Sequence, residues 1–95
     1  MNAIEELKEK AKLALKITTT DFDAEISDIV NACLLDLGLA GVENVDTQDA
    51  LIIRAVCTFA RFSWGSPADY DKLKASYNEQ KAQMGMASGY TNFEG

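Results

Sequence analysis

Apolar residues recur every three or four positions along most of this chain, and the recurrence breaks three times. Ile4, Leu7, Ala11, Ala14 and Leu15 share one face of a predicted helix over Ala3 to Lys16. Phe22, Ile26, Ile29, Val30, Cys33, Leu34 and Leu37 do the same over a second predicted helix, Phe22 to Leu37. A third, Thr47 to Trp64, is apolar over a wide arc through Leu51, Ile52, Ala55, Val56, Phe59, Ala60 and Phe62, as expected of a central helix. The fourth, Pro67 to Met86, carries only the narrow stripe Tyr70, Leu73, Tyr77 and Met84 on a polar background.

The breaks have their own chemistry. In "ITTTDFD" three consecutive threonines are poor helix formers and good caps. Gly38 stops the second helix, and "GLAGVENV" reads as a loop. Asn2 with Glu5, and Asp46 with Asp49, read as capping pairs for the first and third helices. In "WGSPAD", Gly65 ends one helix, Ser66 caps the next, Pro67 takes its first position and Asp69 is the early acid. Trp64 and Tyr70 flank that corner and are expected to pack across it.

No segment alternates as a strand does. The expected fold is therefore all-α: a small bundle of about four helices with its core on Ile29, Cys33, Val56 and Phe59. The expected division is a helical domain, residues 1–87, and a flexible C-terminal tail, residues 88–95. "SGYTNFEG" has no periodicity, and its glycines weaken any helix. Tyr90 and Phe93 are nonetheless two large aromatics, the residue type that anchors a mobile segment on a partner. The competing expectation is that they fold back on their own domain.

Charge adds a second pattern. The 95 residues carry a net charge of −6, a poor basis for gripping phosphate backbones. From Ile17 to Ile53 there is no Lys or Arg, while Asp21, Asp23, Glu25, Asp28 and Asp36 crowd one part of that span. This acidic stretch is a candidate channel-facing or partner-facing surface, or simply a solubilising face. In the first helix Glu5, Glu6 and Glu9 precede Lys10, Lys12 and Lys16, matching the helix dipole, and Glu6 with Lys10 is an i,i+4 pair.

Candidate chemistry is sparse. There is no His, which removes the commonest general base and metal ligand. No phosphate-binding glycine loop occurs. Asp21, Asp23 and Glu25 have the opening spacing of a calcium loop, but Ile26 stands where glycine is needed and Ala32 where the bidentate glutamate belongs. No metal site, cofactor site or catalytic residue is expected, and the chain does not read as an enzyme. Cys33 and Cys57 sit in apolar helical patterns and are expected to be buried free thiols. The start, "MNAIEELKEK", lacks the apolar region of a signal peptide, and no run reaches the ~18 apolar residues of a membrane span. The expectation is a cytosolic chain with no membrane association.

The order of these features resembles the small helical head–tail connector proteins of tailed bacteriophages, also described as DNA-packaging or head-completion adaptors. The matching pieces are "LKEKAKLALKITTTDFDAEISDIVNACLLDLGLAG", "DALIIRAVCTFARFSWGSPADYDKLKASYNEQKAQM" and a short "SGY" end. Trp64 departs from the pattern, where a smaller residue is expected before the corner. The resemblance implies a structural adaptor that binds the portal ring as an oligomeric ring. It implies that the ring extends the DNA channel and joins head to tail or stopper proteins. It also implies a place at the head–tail interface of the virion, with assembly in the host cytoplasm, and DNA that passes through without specific binding. A different reading of the same acidic span is a free-standing acidic helical module, such as an inhibitor that mimics DNA. That reading predicts a monomer or dimer bound to a basic enzyme.

Overall fold

A computed structural model describes residues 3–39, 46–65 and 67–86. It contains α1 (Ala3–Leu15), α2 (Asp23–Asp36), α3 (Ala50–Ser63) and α4 (Tyr70–Met86), with no strand among the described residues. The all-α expectation holds. α3 is the hub: it packs against each of the other three helices. α1 and α2 also pack on each other, whereas α4 approaches the bundle backbone only along α3.

The core follows the apolar spacing. Leu7, Ala11, Ile26, Val30, Cys33, Ala55 and Ala60 are fully buried, with Val56, Tyr77 and Met84 nearly so. Two of the four residues expected at its centre sit further out. Cys33 and Val56 are buried, but Ile29 and Phe59 are only half-buried and pack against the core from its edge. Phe59 still belongs to an aromatic cluster, its ring 4.9 Å from Phe62 and 5.2 Å from Tyr77.

The helix ends differ from the expectation by a few residues, each for a local reason. α1 stops at Leu15 because Lys16 enters the left-handed region at φ 60°. Lys16 N–H then donates to Leu13 O at 3.2 Å and Ile17 N–H to Lys12 O at 2.9 Å, the paired bonds of a Schellman close. Gly38, at φ 77°, closes α2 in the same way: its N–H reaches Leu35 O and that of Leu39 reaches Leu34 O. α3 starts at Ala50, not Thr47, because Asp46 and Asp49 first make a turn. Asp46 Oδ1 accepts from Gln48 N–H, and Asp49 Oδ1 then caps the helix, accepting from Leu51 and Ile52 N–H at 2.8 and 3.2 Å.

The corner holds another correction. Pro67 to Asp69 form a turn, and α4 begins at Tyr70. Trp64 and Tyr70 take different partners: Trp64 meets Phe22 edge-on at 5.2 Å, and Tyr70 meets Phe62 at 5.6 Å. Cys33 and Cys57 are both free thiols, but Cys57 is only half-buried, its Sγ 3.7 Å from Lys10 O. The Asn2 half of the first cap, the Ser66 cap, most of "GLAGVENV" and the tail lie outside the described residues.

Candidate functional site

The acidic stretch is divided by the fold into two kinds of carboxylate. Asp23 and Asp36 are engaged within the domain. Asp23 stands at the start of α2, and Lys12 of α1, 7% exposed, donates to its Oδ1 at 2.7 Å while Lys8 reaches Oδ2 at 3.4 Å. The Lys12 hydrogen bond holds the Asp23 carboxyl below the usual range, and the same bond raises the Lys12 ammonium. At the other end of α2, Asp36 Oδ2 accepts from Tyr77 at 2.6 Å and Lys81 lies 3.2 Å away. The Tyr77 bond, then Lys81, lowers Asp36; burial, then Asp36, raises Tyr77.

Asp21, Glu25 and Asp28 are the other kind. All three are exposed, and none makes an ion pair among the described residues. Glu25 and Asp28, three residues apart, share a face of α2. They rim a shallow groove of about 600 Å³ whose apolar floor is Phe22, Ile29 and Trp64. Phe22 remains 40% exposed even with Trp64 against it. This is an apolar strip with an acidic margin, running from the start of α2 to the end of α3.

A basic surface, missed in the sequence, lies between α3 and α4. A groove of about 290 Å³ there is lined by Arg54, Cys57, Thr58, Arg61, Leu73 and Gln80, among others. Neither arginine has an ion-pair partner among the described residues. Gln80 is buried, and its Oε1 accepts no hydrogen bond among the described residues. The signal was present: Gln80 lies at i+3 from Tyr77 and i−4 from Met84, on the buried stripe of α4. Arg54 and Arg61 are seven apart on an otherwise apolar helix, so both point along one line two turns long.

Among the described residues no three His, Cys, Asp or Glu side chains converge to hold a metal ion. Cys33 is desolvated, its thiol pushed up to about 12, and burial also raises Cys57, so neither has the lowered value of a nucleophile. Among the described residues no helix is long and apolar enough to cross a membrane. Tyr90 and Phe93 lie outside the described residues.

The described residues form a helical bundle that presents charged and apolar surfaces. No curated protein and no solved structure matches the chain. A family model described as "Phage connector protein" matches residues 7–91, from the middle of α1 to beyond α4. That span takes in most of α1, the other three helices whole and both charged surfaces, and the chain therefore belongs to the phage connector protein family, a family of structural components of the phage particle.

Proposed function

We propose that the protein is a head–tail adaptor: a ring of its copies binds the exposed end of the portal ring, extends the DNA channel and receives the tail-completion or stopper proteins. The family match across residues 7–91 is the observation that carries this reading. The charge supports it. A conduit wall must not grip phosphates, and a chain of net charge −6 with no Lys or Arg from Ile17 to Ile53 offers little to hold them. The protein does no catalysis in this role and needs no cofactor. It acts in the virion, after assembly in the host cytoplasm.

The test is reconstitution. The purified protein is mixed with portal rings, and complexes are examined by light scattering and electron microscopy. The expected result is a second ring stacked on the portal, with no measurable affinity for duplex DNA in fluorescence anisotropy. A protein that stays monomeric beside portal rings, yet inhibits a basic DNA-binding enzyme, would replace this reading with the DNA-mimic one.

A further inference from the structure

The two charged surfaces lie on different elements, and their chemistry is complementary. α2 carries Asp23, Glu25, Asp28 and Asp36 and no base, whereas α3 carries Arg54 and Arg61 and no acid. Among the described residues, Asp23 and Asp36 are the acids of α2 that find cations. The unsatisfied acids border the groove of Phe22, Ile29 and Trp64, and the unsatisfied arginines border the groove against α4. Neither patch can pair with its own copy on a second chain, because like charge would face like charge; the pairing has to be acidic patch to basic patch. It fits a heterologous contact, in which one face of a copy meets a different face of the next.

We propose that copies of this chain associate head to tail, the Glu25–Asp28 edge of one copy seating on the Arg54–Arg61 groove of its neighbour. An observation beyond charge favours this pairing. Phe22 is a large side chain left 40% exposed at the acidic edge, while Ile53 and Leu73 are the half-buried apolar residues of the basic groove. Contact would cover both, with the charges around them setting register. Repeated from copy to copy, such a contact closes a ring when its rotation divides the circle. The inference rests on the adaptor reading and names the surface by which its ring is built.

Charge reversal tests it. Two full-length variants are made: Arg54→Glu with Arg61→Glu, and Glu25→Arg with Asp28→Arg. All four positions are surface-exposed, so helix content should be kept. Melting temperature should fall only a little, because Glu25 stands in the first turn of α2 and Arg61 in the last turn of α3, where each suits the helix dipole. Self-association is measured by sedimentation velocity at low and high salt, alone and on portal rings. Wild-type assembly should weaken as salt rises. Each variant alone should lose about 100-fold or more in association constant. An equimolar mixture of the two variants should recover assembly, because each reversed face then meets a reversed partner. Wild-type-like assembly by either variant alone, or failure of the mixture to recover it, overturns this interface while leaving the adaptor function standing. Variants that self-associate normally but no longer attach to the portal assign the groove to that partner and also overturn the proposal. A wild-type chain that forms no ring, alone or on a portal, removes the adaptor reading itself and this interface with it.

Discussion

The Tyr77 hydroxyl, on a side chain only 1% exposed, donates to Asp36 Oδ2 at 2.6 Å and joins α4 to the end of α2. The backbones of those helices do not approach each other; the side chains span the gap over α3. Cys33 Sγ lies 3.9 Å from the same hydroxyl, and the rings of Phe59 and Phe62 pack edge-on against Tyr77 at 5.2 and 5.5 Å. Tyr77→Phe keeps the ring and removes the bond. Because Asp36 is 41% exposed, the loss should fall to about 1 kcal/mol, below the range for a fully shielded charged acceptor. Tyr77→Ala should cost about 3–5 kcal/mol by also emptying the aromatic cluster. Urea denaturation measures both, and equal costs would mean that the ring contributes nothing.

Acid should loosen the bundle through two aspartates. Asp36, held down by Tyr77 and then Lys81, and Asp23, held down by Lys12, both bind protons less readily folded than unfolded. Their stabilisation is therefore fully present above the unfolded aspartate value of about 3.9 and is lost as pH falls through their lower folded values. Melting temperature should drop over that acid range, and Asp23→Asn with Asp36→Asn should flatten the drop. An unchanged slope in the double variant would mean that other carboxylates drive acid unfolding.

Lys16 occupies a backbone region that suits glycine. At φ 60° its Cβ is strained, and no hydrogen bond or ion pair of its side chain offsets that among the described residues. Lys16→Gly should stabilise the domain by about 1 kcal/mol, raising the melting temperature by about 4–8 °C. Gly65 gives the mirror experiment: at φ 72°, with no atom within 4 Å of an added Cβ, Gly65→Ala should destabilise through backbone strain alone. Thermal melts of the two variants should move in opposite directions.

The two thiols should react in order. Cys57, half-buried, should titrate first with a disulfide reagent in the native state. Cys33, fully buried and pushed up to about 12, should react only on unfolding. A kinetic assay with and without denaturant distinguishes them, and rapid native labelling of Cys33 would contradict its place in the core.

A chain truncated after Ala87 tests the tail that carries Tyr90 and Phe93 as a docking arm. If it serves a partner, the truncated domain should keep its helix content and melting temperature and lose ring formation or portal attachment. A marked fall in melting temperature, with assembly intact, would mean that the two aromatics pack on their own domain.

Helix number and order were legible because burial and 3.6-residue spacing agree at Leu7, Ala11, Ile26, Val30, Val56 and Ala60. Helix ends were less so, because capping residues can make a turn first, as Asp46 does before Asp49. The acidic face was visible as composition, but its division was not. Lys12 and Asp23 meet because the chain reverses at Lys16, a non-glycine residue that gives no sign of a left-handed turn. Glu6 likewise bonds Thr47 across the bundle, a partner 41 residues away, where spacing pointed to Lys10. The basic groove was hidden because it needs two helices: Arg54 and Arg61 come from one, Gln80 from the other.

The placement of α4 bears on how the domain comes apart. With its backbone resting on α3 alone, α4 looks detachable, a segment that could peel away while three helices stay folded. Its side chains forbid that. Tyr77 and Met84 are inserted into the common core, so lifting α4 would wet the rings of Phe59 and Phe62 and strip Asp36 of its hydroxyl partner. Partial opening is thus nearly as costly as complete opening, and the amide protons of α4 should exchange with solvent at close to the rate set by global unfolding of the whole bundle.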